Sequence, residues 1–354
     1  MKLELRLVMA DPAGNRTAIV RTPVPAALRA QAAAAILERK ELRAEQAGFE
    51  TAPVQGGAGR LEMMGGEFCG NAARSYGYYL WRREQLRKEQ LRKEQLSKEP
   101  PSKSAESAEG VEDEKSADGV KDGESVKNDS ADFSVGRIRI EISGSDRPLE
   151  VECDLRTGTS FAEMPMPLRL EYSPEGYPLV ISEGITHMIL RDTAPSEALV
   201  CELIGRYGKS ADAFGIQFLE GDRLTPFVYV AGADSRVWES SCGSGSLAAA
   251  WYLERTGAGT GQRATAEGTP DSGMESGQAE KPGLSVPAGS FSGAERSYVL
   301  QDGSRVTFFR FREPGGELLV EIRRAADGTV TGRMGGKVTM EEEQCVELEI
   351  APCS

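Results

Sequence analysis

The sequence predicts an α+β protein of two domains, on three observations. Short stretches with alternating or β-branched apolar residues far outnumber helical patterns, and the two do not alternate as they would in a parallel βαβ sheet. Residues 67–80 and 241–253 resemble each other as an internal duplication would. The length, 354 residues, exceeds the ~250–300 residues at which a single hydrophobic core stops growing.

The elements follow in order. Leu3, Leu5 and Leu7 alternate with polar residues, the chain turns at Asp11-Pro12-Ala13-Gly14-Asn15, and Ala18-Ile19-Val20 resumes the pattern, a hairpin-like opening. Residues 25–45 place Leu28, Ala32, Ile36 and Leu37 on one helical face, with Arg and Glu opposite. After Gly56-Gly57-Ala58-Gly59, residues 60–64 form a strand, and a helix spans about 70–90. At Trp81 the composition changes to an RKEQL repeat and then to a polar tract with almost no apolar residues. This is an insert over about 83–135, whose first half continues the helix and whose second half is disordered. Residues 257–283 form a second insert of the same character. Strands are expected at 137–142, 149–153, 179–190, 214–219, 226–230, 298–300, 306–311, 318–323 and 346–350, with helices at 196–207 and 243–255.

Composition removes several functions. The 42 Lys+Arg against 55 Asp+Glu give a net charge of −13, which excludes a basic nucleic-acid binder. Hydrophobic residues make up 39 % and the 40 Gly add about 11 % more, together the roughly half-apolar composition of ordinary soluble globular proteins. No stretch approaches the ~18 apolar residues of a membrane span, and the first eight residues, MKLELRLV, are too charged for a signal core, so a cytoplasmic location is expected. The six cysteines lie at 69, 153, 201, 242, 345 and 353, none in CxxC spacing, and His187 is the one histidine. Free thiols and no metal site are therefore expected.

The chemistry concentrates in the duplicated segments. Cys69-Gly70 and Cys242-Gly243 each open a helix rich in small residues and ending in aromatics. At such a position unpaired backbone N–H groups and the helix dipole favour an anion, so a thiolate is stabilised. The small residues that follow let a ligand approach the bare amides, and two such helix ends face to face would grip a carboxylate. If one thiolate removes a proton from the carbon α to that carboxylate while the opposite thiol donates to the other face, the stereocentre inverts. A single cysteine at a helix start is more often a small buried residue; two matched ones point to function. Gly243-Ser244-Gly245-Ser246-Leu247-Ala248 also satisfies the dinucleotide pattern GxGxxA, but the acidic residue it needs ~20 positions on would fall in the second insert.

These motifs resemble the two catalytic motifs of the diaminopimelate epimerase family, cofactor-independent racemases and epimerases that use two cysteines. The likeness covers nearly all the chain outside the inserts. Gly14-Asn15 with Thr17-Ala18-Ile19-Val20 is similar to the family's N-terminal Gly-Asn-Asp-Phe segment, Phe214-Gly215-Ile216-Gln217-Phe218 to its Asn-Val-x-Phe strand, and Gly315-Gly316 with Val330-Thr331-Gly332 to its closing hairpin and final strand. The resemblance implies a diaminopimelate epimerase-like fold: two pseudo-symmetric, β-barrel-like domains, each around a central helix, with the active site in the cleft between them. Residues 1–165 would form the first domain and 166–328 the second, with 329–354 returning to the first. By position, Cys69 and Cys242 would be the proton-transfer pair, and Gly70-Asn71 with Gly243-Ser244 would bind the α-carboxylate. His187 matches the histidine of the family's Gly-Asn-Pro-His segment, which is thought to tune the cysteines; otherwise it is a hydrogen-bonded core residue. Asn15 is a candidate substrate contact, and Gln46 and Glu62 are further candidates. No pyridoxal phosphate, other cofactor or metal is implied. The partners implied are a small-molecule amino-acid substrate and, as an open alternative to a single chain, a second copy of it in a homodimer, with no nucleic acid or membrane.

Departures from the pattern bear on substrate. Ile185 and Gly215 stand where the family has asparagines, and its Glu-Arg pair is missing from residues 229–238. Those residues hold the distal amino-acid end of diaminopimelate, whose charge would otherwise be buried unpaired. Gly65-Gly66-Glu67-Phe68-Cys69-Gly70-Asn71-Ala72 and Trp238-Glu239-Ser240-Ser241-Cys242-Gly243-Ser244-Gly245 are instead similar to the histidine racemase branch, which includes enzymes that supply D-histidine for opine-type metallophores. Glu239 would recognise the substrate amino group or modulate the Cys242 thiol, unless it is a helix-start capping carboxylate. The expected activity is amino-acid racemisation, of histidine or a similar polar amino acid. Diaminopimelate epimerisation and amino-acid binding without turnover are the alternatives.

Overall fold

The alternating leucines form β1 (Lys2–Asp11), which turns back into β2 (Thr17–Val20) with Leu7 opposite Val20 and Ala10 opposite Thr17. The computed structural model describes residues 2–98, 134–257 and 295–350. α1 (Ala26–Glu38) leads to β3 (Gln46–Thr51), parallel to β2, and β4 (Arg60–Met63) runs antiparallel to β3. α2 (Gly70–Lys98) follows, then β5 (Val135–Ile142), parallel to β4, and its antiparallel successors β6 (Leu149–Asp154) and β7 (Thr159–Met164).

The second half repeats this order. β8 (Arg169–Tyr172) and β9 (Pro178–Ile181) lead into β10 (Ile185–Arg191), which pairs antiparallel with β9. α3 (Glu197–Tyr207) separates β10 from β11 (Ala213–Glu220), its parallel neighbour, and β12 (Arg223–Val230) returns antiparallel. After β13 (Ser235–Trp238) comes α4 (Gly243–Thr256), then β14 (Glu295–Val299), β15 (Arg305–Glu313), β16 (Gly316–Arg324) and β17 (Val330–Lys337). The pairing senses from β1 through α2 to β7 recur from β9 through α4 to β17, with β12 and β15 parallel as β4 and β5 are. The duplication visible in two cysteine segments therefore extends through the whole pairing order.

Two sets of strand pairings join the repeats. β17 pairs antiparallel with β7, from Gly332 opposite Met164 to Lys337 opposite Thr159. β18 (Thr339–Met340) and β19 (Gln344–Glu349) pair with β1. The structure is mostly sheet with four α-helices among the described residues. α2 buries Ala72, Ala73, Tyr76, Tyr79 and Leu80 against Ile140, Ile142, Val151 and Ala162, and α4 buries Leu247, Ala249 and Trp251 against Ile189, Leu219, Phe309 and Val320. Each such large side chain contributes ~1.5–3 kcal/mol by leaving water. The small faces of α2 let its sheet close in: a Cβ on Gly77 would lie 2.6 Å from Val151. No helix among the described residues is long and apolar enough to cross a membrane.

Several boundaries differ from expectation. The first helix stops at Glu38 rather than running to 45, because Arg43 adopts φ 48 in the turn that follows and the chain then enters β3. The expected strand 179–190 is two strands, β9 and β10, turned at Gly184 with φ 75. β3, β7 and β13 carry too little alternation to be recognised, and β8, though alternating, is only four residues long. Of the first insert, residues 83–98 continue α2 and Val135 opens β5, while 99–133 lie outside the described residues, as does the second insert beyond Gly257.

Candidate active site

Cys69 immediately precedes α2, and Cys242 caps the N-terminus of α4 in an extended conformation. Both glycines that follow let methionine side chains pack onto the helix starts. A Cβ on Gly70 would lie 2.5 Å from Met164 Sδ, and one on Gly243 would lie 2.6 Å from Met334 Cε. The Met334 methyl also sits 2.9 Å from the same point on Gly70, so one side chain of β17 packs on both helix starts. Polar contacts then tie the starts together: Asn71 Nδ2 donates to Ser241 Oγ at 3.1 Å, and Asn15 Nδ2 donates to the Ser241 carbonyl at 3.1 Å. The residue two after Cys69 thus touches the residue just before Cys242.

Arg74 fixes this bridge from below. It is fully buried, and its Nε donates to Asn71 Oδ1 at 3.1 Å, which leaves the Asn71 amide hydrogens facing Ser241. Its other nitrogens donate to the carbonyls of Pro12, Gly336 and Lys337. Burial lowers the guanidinium to about 9, with Cys69, Glu313 and Asp11 opposing.

The two thiols have different neighbours. Around Cys69, half-buried, stand donors: the Ala72 N–H at 3.5 Å from Sγ, and the buried Gln46 amide, which also donates to Thr17 Oγ1 at 2.8 Å. Burial pushes this thiol up and both donors pull it down, with Glu239 and Glu67 adding smaller pushes upward. Around Cys242, buried, stand carboxylates: burial, Glu239 and Glu313 push its thiol well up, and the Ser244 hydroxyl, 3.6 Å from Sγ, pulls it down. Glu313 accepts from the Cys242 N–H at 2.6 Å and from the Ser246 hydroxyl, and burial raises its carboxyl to about 8. The first-turn amides of Gly70 and Asn71, and of Gly243 and Ser244, are left at the two helix ends where α-helices hold anions.

Two acceptors beside the bridge have no hydrogen-bond partner, Asn15 Oδ1 and Glu239 Oε2. Burial raises the Glu239 carboxyl to about 7, with the hydrogen bond to Cys242 opposing and Glu45 adding to the rise. His187 is fully buried, its Nε2 3.1 Å from Ser244 Oγ and its Nδ1 3.1 Å from Gln217 Nε2; burial lowers it to about 3, so it is neutral. Glu62 is paired with Arg60 on β4. Arg74, Glu313 and Gln217 were not singled out from the sequence. Arg74 and Gln217 did carry a signal, Arg74 as the one charged residue among 68–81 and Gln217 as a lone polar residue in an apolar run. Among the described residues, no group of three or more His, Cys, Asp or Glu could hold a metal ion.

The family model for the N-terminal domain of the histidine racemase CntK matches residues 4–103. A histidine racemase from Fusobacterium nucleatum subsp. nucleatum is 30 % identical over 236 residues, 62 % of this chain and 70 % of that protein. Another from a second strain is 29 % identical over 234 residues, covering 62 % and 69 %. A crystal structure of a hydroxyproline epimerase from Agrobacterium vitis with bound trans-4-hydroxy-L-proline aligns with TM-score 0.49 and 9 % identity over 98 % of this chain and 93 % of that one. The protein is an isomerase, an amino-acid racemase. Specifically, the chain belongs to the histidine racemase family.

Proposed function

We propose that this racemase inverts histidine, or a similar polar amino acid, without pyridoxal phosphate, with Cys69 and Cys242 as the two proton-transfer groups. The observation that carries the reading is the Asn71–Ser241 bridge, which brings the two cysteine-bearing helix starts together. The α-carboxylate lies between the amides of Gly70–Asn71 and Gly243–Ser244, where two helix dipoles favour it. The α-ammonium donates to Asn15 Oδ1 and Glu239 Oε2, the two acceptors without partners. One cysteine, as thiolate, takes the α-proton and becomes a thiol; the electron pair spreads into the carboxylate, whose growing charge the helix amides stabilise. The opposite cysteine gives its proton to the other face and becomes the thiolate. The enzyme is left with its protons exchanged, ready for the reverse enantiomer.

The architecture supported is diaminopimelate epimerase-like, with 1–165 and 166–328 as its domains and 329–354 completing the first. The pairing order common to the two halves, each with a central helix, supports it. Histidine as substrate rests on the relatives' activity. The test is chiral chromatography of reduced enzyme incubated with L-histidine, a panel of other L-amino acids and LL-diaminopimelate. D-histidine in preference to every other product is expected; inversion of diaminopimelate alone, or of nothing, would overturn the substrate assignment.

A further inference from the structure

A lone glutamine sits in the apolar strand Phe214-Gly215-Ile216-Gln217-Phe218, and it is fully buried. Packing does not ask for an amide there, since a leucine would fill the same space. The surroundings have instead been cut back to admit it. A Cβ on Gly245 would lie 2.5 Å from the Cδ, Nε2 and Oε1 of Gln217, and one on Gly215 would lie 2.2 Å from His187 Nδ1 and 3.2 Å from Gln217 Nε2. Gly215 is the residue paired with His187 across the parallel β10–β11 ladder. Two missing side chains thus shape one cradle for an amide and an imidazole.

Hydrogen-bond chemistry gives the cradle a direction. The amide nitrogen of Gln217 only donates, so the His187 Nδ1 facing it at 3.1 Å presents its lone pair. A neutral imidazole then carries its proton on Nε2, which donates to Ser244 Oγ at 3.1 Å. With that oxygen accepting, the Ser244 hydrogen is free to point at the Cys242 sulfur, 3.6 Å away. A thiolate can only accept, so this last bond favours it over the thiol. The opposing groups at Cys242 are the carboxylates of Glu239 and Glu313. Were the amide reversed, Nδ1 would hold the proton, Nε2 would accept from Ser244, and the serine hydrogen would turn away from sulfur. Gln217 Oε1 has no hydrogen-bond partner, and the Nε2 contact with His187 is the residue's polar contact.

We propose that Gln217 is a positioning residue that fixes the tautomer of His187 and, through the Ser244 hydroxyl, delivers a hydrogen bond that activates the Cys242 sulfur. This rests on Cys242 being one of the two proton-transfer groups. Cys69 has a separate supply of donors, Ala72 and Gln46, so the chain acts on one thiol of the pair.

Because His187 is the one histidine in the sequence, the test can observe it directly. In enzyme labelled with 15N-histidine, two-bond correlations to the ring protons identify the nitrogen that bears hydrogen; the expected form is Nε2–H. The isosteric Gln217→Glu replaces the donor with an acceptor and should move the proton from Nε2 to Nδ1. With the bond to sulfur lost, the rate of Cys242 alkylation by iodoacetamide at pH 8, read peptide by peptide by mass spectrometry, should fall about tenfold, the effect of one pKa unit. Cys69 should alkylate at its original rate. Ser244→Ala should slow Cys242 equally while leaving His187 as Nε2–H, which keeps the proposal testable if the glutamate variant does not fold. The double variant should be no slower than either single one, as expected for links in series. An Nδ1–H tautomer in the parent enzyme, or an unchanged Cys242 rate in Ser244→Ala, would overturn the proposal. Neither readout involves turnover, so a wrong substrate assignment would leave this result standing, and racemisation with an unaltered Cys242 rate would refute the relay alone.

Discussion

Replacing Arg74 with methionine tests whether the bridge between the helix starts is held from beneath. Arg74 is fully buried and donates to Asn71 Oδ1 and to the carbonyls of Pro12, Gly336 and Lys337, with no carboxylate among these partners. Hydrogen bonds from a charged group contribute ~1.5–3 kcal/mol each, so four amount to about 6–12 kcal/mol gross. Removing the guanidinium also relieves its desolvation, several kcal/mol. The net loss should be about 3–5 kcal/mol. At ~2–4 °C per kcal/mol for chains of this size class, calorimetry should find the thermal midpoint about 10 °C lower. Activity should fall as well, because an Asn71 amide free to rotate no longer holds Ser241. Arg74→Lys restores the charge without the planar fork and should recover about half of the loss at most. A midpoint within about 2 °C of the parent for Arg74→Met would refute the reasoning.

Other consequences follow from the same geometry. Cys69→Ser and Cys242→Ser should each reduce racemisation of L-histidine at least a thousandfold while leaving the circular dichroism spectrum unchanged, since a serine hydroxyl at neutral pH is a far poorer base than a thiolate; full turnover by either would sink the two-thiol mechanism. Gly215→Ala places a Cβ 2.2 Å from His187 Nδ1 and should cost ~1–3 kcal/mol of stability through overpacking, read as a lower midpoint in urea. Glu313 and Glu239 are raised by burial to about 8 and about 7, so the native state binds protons there that the unfolded chain has released above ~pH 5. Stability should therefore fall as pH rises through 5 to 8, and Glu313→Gln should flatten that decline in thermal midpoints measured across the range.

What the sequence revealed, and what it hid, follows from where the information lies. Cys69-Gly70 and Cys242-Gly243 are local signals: a thiol, a glycine and a run of small residues declare a helix start open to a ligand. The internal likeness of those segments foreshadowed a duplication that the sheet pairings extend to both halves. Glu313 could not be found this way, because it lies 71 positions from Cys242 and meets its amide only when β15 packs beside α4. The split at Gly184 was missed because residues 179–190 are apolar enough to pass for one strand, and only the positive φ of that glycine marks the turn. The first helix was drawn too long because alanine-rich periodicity says nothing about where tertiary pairing will claim the chain, here at Gln46 beside Thr17.

The central claim, that inversion uses one base on each face, is tested most directly by the first turnovers in D2O. Reduced enzyme would be given protonated L-histidine, and both enantiomers separated and analysed by mass spectrometry before a tenth of the substrate has reacted. Two cysteines on opposite faces predict D-histidine carrying one deuterium at the α-carbon while the remaining L-histidine keeps its proton, because the abstracted hydrogen and the delivered one never share a sulfur. Deuterium appearing equally in both enantiomers from the start would mean a single group serving both faces, and would contradict the account.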